Sequence, residues 1–243
     1  MKDTAWLGRT ELLIGQKALQ GLMQKHVLVV GLGGVGSYAA EYIARAGVGR
    51  MTIVDGDTVD PTNRNRQLPA LATTHGLPKA DLMADRIRQI NPEIELQVIK
   101  DFLTPKLVEE LMQNTYDYVV DAIDSLTPKI TLLALAYRSK QPIISSMGAG
   151  GKMDPTKLQV VDISETYQCN LAFYVRKRLR YKGITKGIKA VFSTEEVVKE
   201  SLMRTDGSKF KKSAFGTISY LPAAFGGACA SVVIRDLIEW SRP

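Results

Sequence analysis

Short apolar runs alternate with longer amphipathic stretches along the chain, the pattern of a parallel sheet covered on both faces. Residues 27–30 (VLVV) are apolar throughout and mostly β-branched, as a strand buried on both sides must be. The runs at 51–54, 94–99, 118–120 and 143–145 predict further strands. Helical spacing follows Gly36 to about Ala46 and recurs over 79–90 and 127–139. The second of these stops at Asn91-Pro92, because proline cannot continue a helix. After Gly148-Ala149-Gly150-Gly151 the pattern changes, with strands expected at 158–163 and 189–193 around a basic helix at 171–181. Residues 205–213 (TDGSKFKKS) predict a mobile loop. The expected organisation is a helical segment at 1–25, an α/β core at 26–150 and a smaller C-terminal extension at 151–243 whose last helix returns to the core.

Composition changes this picture little. A chain of 243 residues with 45% hydrophobic and 23% charged residues can build a sizeable core in one domain or one and a half. Residues 214–234 carry no charge and are long enough to span a bilayer. Pro222, Gly226, Gly227 and several Ala and Ser make the stretch only weakly apolar, so a loop followed by a sheet-packed helix is expected, with membrane association as the alternative. The chain opens without an apolar leader. Its two cysteines are too few for a disulfide framework or a four-thiolate zinc site. A cytoplasmic location and no zinc are the expectations.

Charge says more. The net charge is +7, and residues 176–212 hold twelve Lys and Arg against four acids. That imbalance marks either a polyanion footprint or a solvated basic face.

The chemistry starts at Gly31, Gly33 and Gly36, a GxGxxG placed directly after a strand and opening a helix. Glycines there permit a tight turn and let backbone N–H groups approach a phosphate at the positive helix end. Asp55 ends the next strand, where an acid accepts hydrogen bonds from ribose hydroxyls. These features alone describe a Rossmann-like adenine-nucleotide site, and NAD would be the first guess. The run from Asp57 to Gln67 (DTVDPTNRNRQ) and the following Lys79 change that reading. A cluster of polar and cationic side chains beside the ribose suits a triphosphate, whose leaving pyrophosphate needs charge stabilisation. The alternative is that Arg64 and Arg66 are surface salt-bridge partners.

In combination, residues 31–37 (GLGGVGS), 55–60 (DGDTVD), 65–67 (NRQ) and Lys79 resemble the adenylation core of the ubiquitin-activating superfamily. Bacterial members of that superfamily activate sulfur-carrier proteins. The likeness continues through 121–125 (DAIDS) and 222–227 (PAAFGG) and covers nearly the whole chain. It implies that Gly34 and its neighbours hold the phosphates of ATP and Asp55 the ribose, with Asp57 among the nucleotide-binding residues. It implies further that Asn65, Arg66 and Lys79 grip the triphosphate, and that Asp124 helps place Mg2+ and the acceptor carboxylate. The alternative reading of Asp124 is an N-cap for the helix near Thr127. Arg9, within residues 8–15 (GRTELLIG), matches an arginine that in these homodimers reaches into the neighbour's ATP site; read alone, it is equally a surface residue of an N-terminal helix.

Two departures narrow the resemblance. The paired CxxC motifs of the sulfur-carrier activators are missing, and a basic 176–212 region stands where those proteins carry a protein-partner module. Residues 9–15 (RTELLIG), 55–67 (DGDTVDPTNRNRQ), 148–152 (GAGGK) and the helix at 176–180 (RKRLR) together resemble the branch that acts on tRNA, closing a ring in the threonylcarbamoyl group on the adenosine 3′ of the anticodon. The implied partner is tRNA, contacted by Arg176, Lys177, Arg178, Arg180, Lys209, Lys211 and Lys212. The implied reaction is ATP-dependent adenylation of a carboxylate followed by dehydrative cyclisation, with no enzyme nucleophile. The alternatives are adenylation of a ubiquitin-like carrier's C-terminus and a non-catalytic or NAD-binding module. Cys229 reads as core. Cys169 precedes a helix whose N-terminus lowers a thiol's pKa, but the implied mechanism leaves it idle, as it does His26 and His75.

Overall fold

Residues 4–204 and 213–240 are described by a computed structural model of the chain. The apolar runs become β1 (His26–Val30), β2 (Arg50–Val54), β3 (Glu95–Ile99), β4 (Tyr118–Asp121) and β5 (Ile143–Ser146). These pair in parallel in the order β3-β2-β1-β4-β5. β6 (Leu158–Asp162) and β7 (Lys189–Ser193) extend the sheet past β5 to seven strands. β7 runs parallel to β5, and β6 lies antiparallel to β7 at the edge. The sheet is therefore mostly parallel, as expected, with one reversed edge strand.

Both faces are covered. Alternate residues of β1 point opposite ways: Val27 and Val29 pack with α3 (Gly36–Arg45), α4 (Lys79–Ile90) and α8 (Tyr220–Leu237), while Leu28 and Val30 pack with α5 (Pro105–Leu111), α6 (Leu126–Arg138) and α7 (Asn170–Arg180). This is why the strand reads as an unbroken apolar run. α4 begins at Lys79 and ends before Asn91, as its sequence spacing predicts. α5 has no counterpart in the sequence reading; Thr104 starts it, its hydroxyl accepting from Leu107 N at 3.2 Å, and Pro105 occupies the first helical position.

Before the sheet lie α1 (Gly8–Ile14) and α2 (Gln16–Leu22), separated at Gly15, whose φ of 82° only glycine adopts freely. After it, β8 (Leu202–Arg204) and β9 (Ser213–Phe215) form a small antiparallel pair that the sequence reading does not foresee. The loop expected at 205–213 lies, apart from Ser213, outside the described residues.

The uncharged stretch resolves into β9 and most of α8. Leu221, Phe225, Cys229 and Val233 recur every four residues and are buried against α3 and the sheet. Among the described residues no helix is long and apolar enough to cross a membrane. Burial pushes the Cys229 thiol up to about 12, consistent with a core residue.

One buried ion pair sits in this frame. Lys129 Nζ lies 2.7 Å from Asp121 Oδ2, and both side chains are fully buried. The ammonium also donates to Ile123 O at 3.0 Å and Ser146 O at 2.9 Å, while Ser145 Oγ and Ile123 N donate to the Asp121 carboxylate. Such a pair resists disruption chiefly because removing one partner strands the other charge in the core. Lys129→Met is expected to cost about 3–5 kcal/mol in urea unfolding. Adding Asp121→Asn should recover part of that loss, since the stranded charge is then gone.

Candidate active site

The strand order reverses between β1 and β4, and open α/β sheets bind ligands outside the carboxyl ends of strands at such a switch point. The glycine loop occupies that position. Gly31, with φ of 88°, donates its N–H to Val54 O, and a Cβ there would lie 2.8 Å from Ala122 O. A Cβ on Gly36 would fall 1.7 Å from Gly31 O, so α3 can start where it does only with glycine at that position. A Cβ on Gly34 would stand 3.0 Å from Pro222 Cβ, and one on Gly226 would stand 2.5 Å from Val35 O. The 222–227 segment thus presses the start of α8 onto the start of α3. No side chain caps α3. Among the described residues, the N–H groups of Gly33, Gly34 and Gly36 have no protein acceptor, leaving them for a ligand anion.

Asp55 organises the rim. Its carboxylate accepts from Leu32 N at 2.6 Å and from Asp57 N at 2.8 Å, joining the glycine loop to the segment after β2. Burial raises its pKa, against the pull of the Lys79 charge and these two backbone hydrogen bonds.

The segment 57–59 then pairs with 76–79: Val59 N donates to Leu77 O, Gly76 N to Val59 O and Lys79 N to Asp57 O. This closure carries Lys79, at the first position of α4, back to the rim. Its buried side chain ends 3.0 Å from Asp57 Oδ2.

Asp60 and Asn63 cap each other and hold the turn between these paired segments. It presents Asn65 and Arg66. The guanidinium of Arg66 donates to Thr62 O and Asn65 Oδ1, each at 2.9 Å, and Asn65 Nδ2 donates to Thr217 O at 2.8 Å. Burial pulls Arg66 below its usual range, and the charge of Asp124 acts against that. Asp124 therefore faces Arg66 from the carboxyl end of β4. The N-cap position of α6 is Ser125, one residue further on. Arg64 is exposed.

Three features are absent from the sequence-derived set of site residues. Gln67 reaches toward Gly33, and its Oε1 is buried with no hydrogen-bond partner, an acceptor in need of a donor. Only its place in the 57–67 run signalled it. Asp121 and Lys129 fix the strand end from which Asp124 projects, through the bond from Lys129 to Ile123 O. A lysine among the apolar positions of α6 was the available signal. Lys152, in the GAGGK segment, is buried and donates to Gln168 O, Ser193 O and Glu195 O at 3.1, 2.7 and 2.9 Å. It ties the entry to α7 to the end of β7.

Other sequence candidates lie elsewhere. Arg9 is exposed on α1. The nearby Leu7 packs on Gly47, beyond the far end of α3, one helix of ten residues or about 15 Å from the glycine loop. Arg9 therefore stands two residues from a contact at the opposite end of α3 from that loop. Arg176, Lys177, Arg178 and Arg180 lie on α7, with Arg176 hydrogen-bonded to Thr166 Oγ1. Lys209, Lys211 and Lys212 lie outside the described residues. Cys169 is buried and caps α7 with its sulfur. Among the described residues no group of three His, Cys, Asp or Glu is placed to hold a metal ion.

Comparison with known proteins agrees with this geometry. A tRNA threonylcarbamoyladenosine dehydratase from Escherichia coli is 42% identical over 254 residues, spanning 96% of this chain and 95% of that protein. One from Bacillus subtilis is 43% identical over 238 residues, spanning 95% and 94%. The crystal structure of the Escherichia coli enzyme in complex with ATP superposes with a TM-score of 0.87 at 42% identity, covering 98% of this chain and 97% of that one. The ThiF family matches residues 7–243, so a glycine loop, its ribose-side acid and the cationic turn beside them stand in a chain that belongs to the ThiF family.

Proposed function

We propose that this protein is an ATP-dependent tRNA threonylcarbamoyladenosine dehydratase, forming AMP and pyrophosphate. It activates the threonylcarbamoyl carboxylate on the tRNA adenosine 3′ of the anticodon and lets that group close into a ring. The observation that carries this reading is the convergence of Arg66, Lys79, Asp124 and the unpartnered Gln67 oxygen around the glycine loop. A triphosphate fits the residues present: the loop offers unpaired N–H groups, no Cβ intrudes on its cradle, and cations flank it.

A free carboxylate will not cyclise in water, because oxide does not leave. Placed on the α-phosphate of ATP, its leaving group becomes AMP. Arg66 and Lys79 offset the charge that develops as pyrophosphate departs, Lys79 exchanging Asp57 for a phosphate oxygen. Asp55 accepts from the ribose hydroxyls, and Gln67 Oε1 takes a donor from the nucleotide. Mg2+ would be held by Asp124 together with the phosphates, since this ion needs only one or two carboxylates beside its substrate. The substrate's own carbamoyl group then attacks at high effective molarity, and no enzyme nucleophile is required.

The assembly proposed is a cytoplasmic homodimer in which residues 1–25 make the subunit contact, 26–150 bind ATP and 151–243 face the tRNA. Leu12 and Leu13, at 83% and 72% exposure on the same short helix as Arg9, support that contact, because exposed neighbouring leucines mark an interface. Adenylation of a carrier protein is the competing reading. Mass spectrometry of digested tRNA, with and without the protein and ATP, tests the choice: the threonylcarbamoyl nucleoside should lose the mass of one water.

Arg66→Ala and Lys79→Ala should each lower kcat/KM by about 10²-fold or more, measured as tRNA-dependent exchange of pyrophosphate into ATP. A folded variant with unchanged exchange removes its residue from the mechanism.

Mixing Arg9→Ala protein with Asp124→Ala protein, each inactive alone, should restore part of the activity by pairing one intact site. If subunits exchange and nothing returns, Arg9 does not act across the dimer.

Charge reversal at Arg178 and Arg180 should weaken tRNA binding and flatten its salt dependence. ATP affinity should stay within about twofold, a fraction of a kcal/mol. Binding and salt slope that survive the reversal would make this face of α7 a solvated one.

A further inference from the structure

α7 has two faces. Ala172, Val175 and Leu179 are buried in the core, which accounts for the helix's stability. The opposite side holds Phe173, Arg176, Lys177, Arg180 and Tyr181, spaced by three or four residues, and these line a groove of ≈ 440 Å³. Phe173 is 52% and Tyr181 77% exposed. Neither ring contributes to the core, and exposing large aromatic faces costs the folded chain rather than helping it. Among the described residues none of the cations at 176, 177, 178 and 180 has a carboxylate within ion-pair distance.

We propose that this face of α7 captures unpaired RNA, with Phe173 and Tyr181 each stacking a base and Lys177 and Arg180 holding the phosphates between. The proposal rests on the tRNA reading above and deepens it by naming which part of the RNA the helix receives. Cations alone would serve duplex and loop equally, since both expose phosphates. Aromatic faces distinguish them, because bases inside a duplex are already stacked while those of a loop can splay onto a ring.

The layout suits such a strand. Phe173 and Tyr181 are eight residues apart, about 12 Å along the helix axis, with Lys177 midway. The ring of Phe173 is oriented by an edge-to-face contact with Tyr174, at 5.3 Å between centroids and 77° between planes. Arg176 is anchored through Thr166, which steadies one wall of the groove. The helix also starts at the correct rim: a Cβ on Gly148, just past the carboxyl end of β5, would lie 3.5 Å from Cys169 Sγ at the cap of α7. The groove's lining holds three cations and no acid, the charge of a surface that meets a polyanion.

Binding of the full-length protein to two labelled RNAs of equal phosphate count, a stem with an unpaired loop and a blunt duplex, tests this. Wild type should prefer the stem-loop. Phe173→Leu with Tyr181→Leu should weaken stem-loop binding about tenfold or more, leave duplex binding and the salt slope unchanged, and erase the preference. Phe173→Trp should bind normally and change its fluorescence with the stem-loop but not the duplex. Stem-loop binding by the double leucine variant as tight as wild type overturns the stacking surface. The tRNA reading still stands if reversal at Arg178 and Arg180 weakens binding in the same assay, and both fall if wild type binds neither RNA. A change in oligomeric state of the leucine variant would assign the face to a contact between copies and overturn the proposal equally.

Discussion

Everything at the nucleotide rim depends on one close approach of backbone to backbone. Because Gly36 has no Cβ, α3 begins directly against the carbonyl of Gly31, where a side-chain carbon would sit at 1.7 Å. That start brings the uncapped N–H groups of α3 to the switch point of the sheet, and the same tightness lets Pro222 and Gly226 of α8 lie on the loop. A larger residue would push α3 outward and separate the phosphate-facing amides from the strand ends on which the other site residues stand.

Those residues are held by hydrogen bonds that cross long stretches of chain. Asp55 accepts from the loop on one side and from Asp57 on the other, so this acid sets the spacing between two loops. Lys79 is brought to the rim by a strip of backbone pairing across the cationic turn and is buried against Asp57. A buried ammonium is desolvated beforehand, so its charge acts on its neighbours with little screening. The charge of Asp124 acts on Arg66 across the same opening.

Beneath this lies the buried pair of Asp121 and Lys129. It stabilises the chain little compared with an apolar pair of the same shape. It does bind the ends of β4 and β5 together and fixes the carbonyl of Ile123, one residue before Asp124. The fold therefore uses polar contacts to hold the strand end that carries Asp124 at a defined place.

The sequence by itself determined the sheet core, the glycine loop and the identity of the charged cluster, because each is a local property. Strands buried on both faces must read as apolar runs, a helix must stop before Pro92, and a phosphate loop must be made of glycines. It did not reveal α5 or the β8–β9 pair, whose short segments carry too little periodicity to stand out, nor the reversal of β6, since strand direction follows from pairing and not from composition. Tertiary structure alone decided that Gln67 Oε1 is left unpartnered, that Lys129 and Lys152 are buried against the carbonyls of Ser146 and Ser193, and that Leu7, two residues before Arg9, packs on Gly47 beyond α3. It also sorted the basic helix into a core side and a side where cations stand between two aromatic rings. In each case the deciding quantity is a contact between residues distant in the chain, which no local pattern encodes.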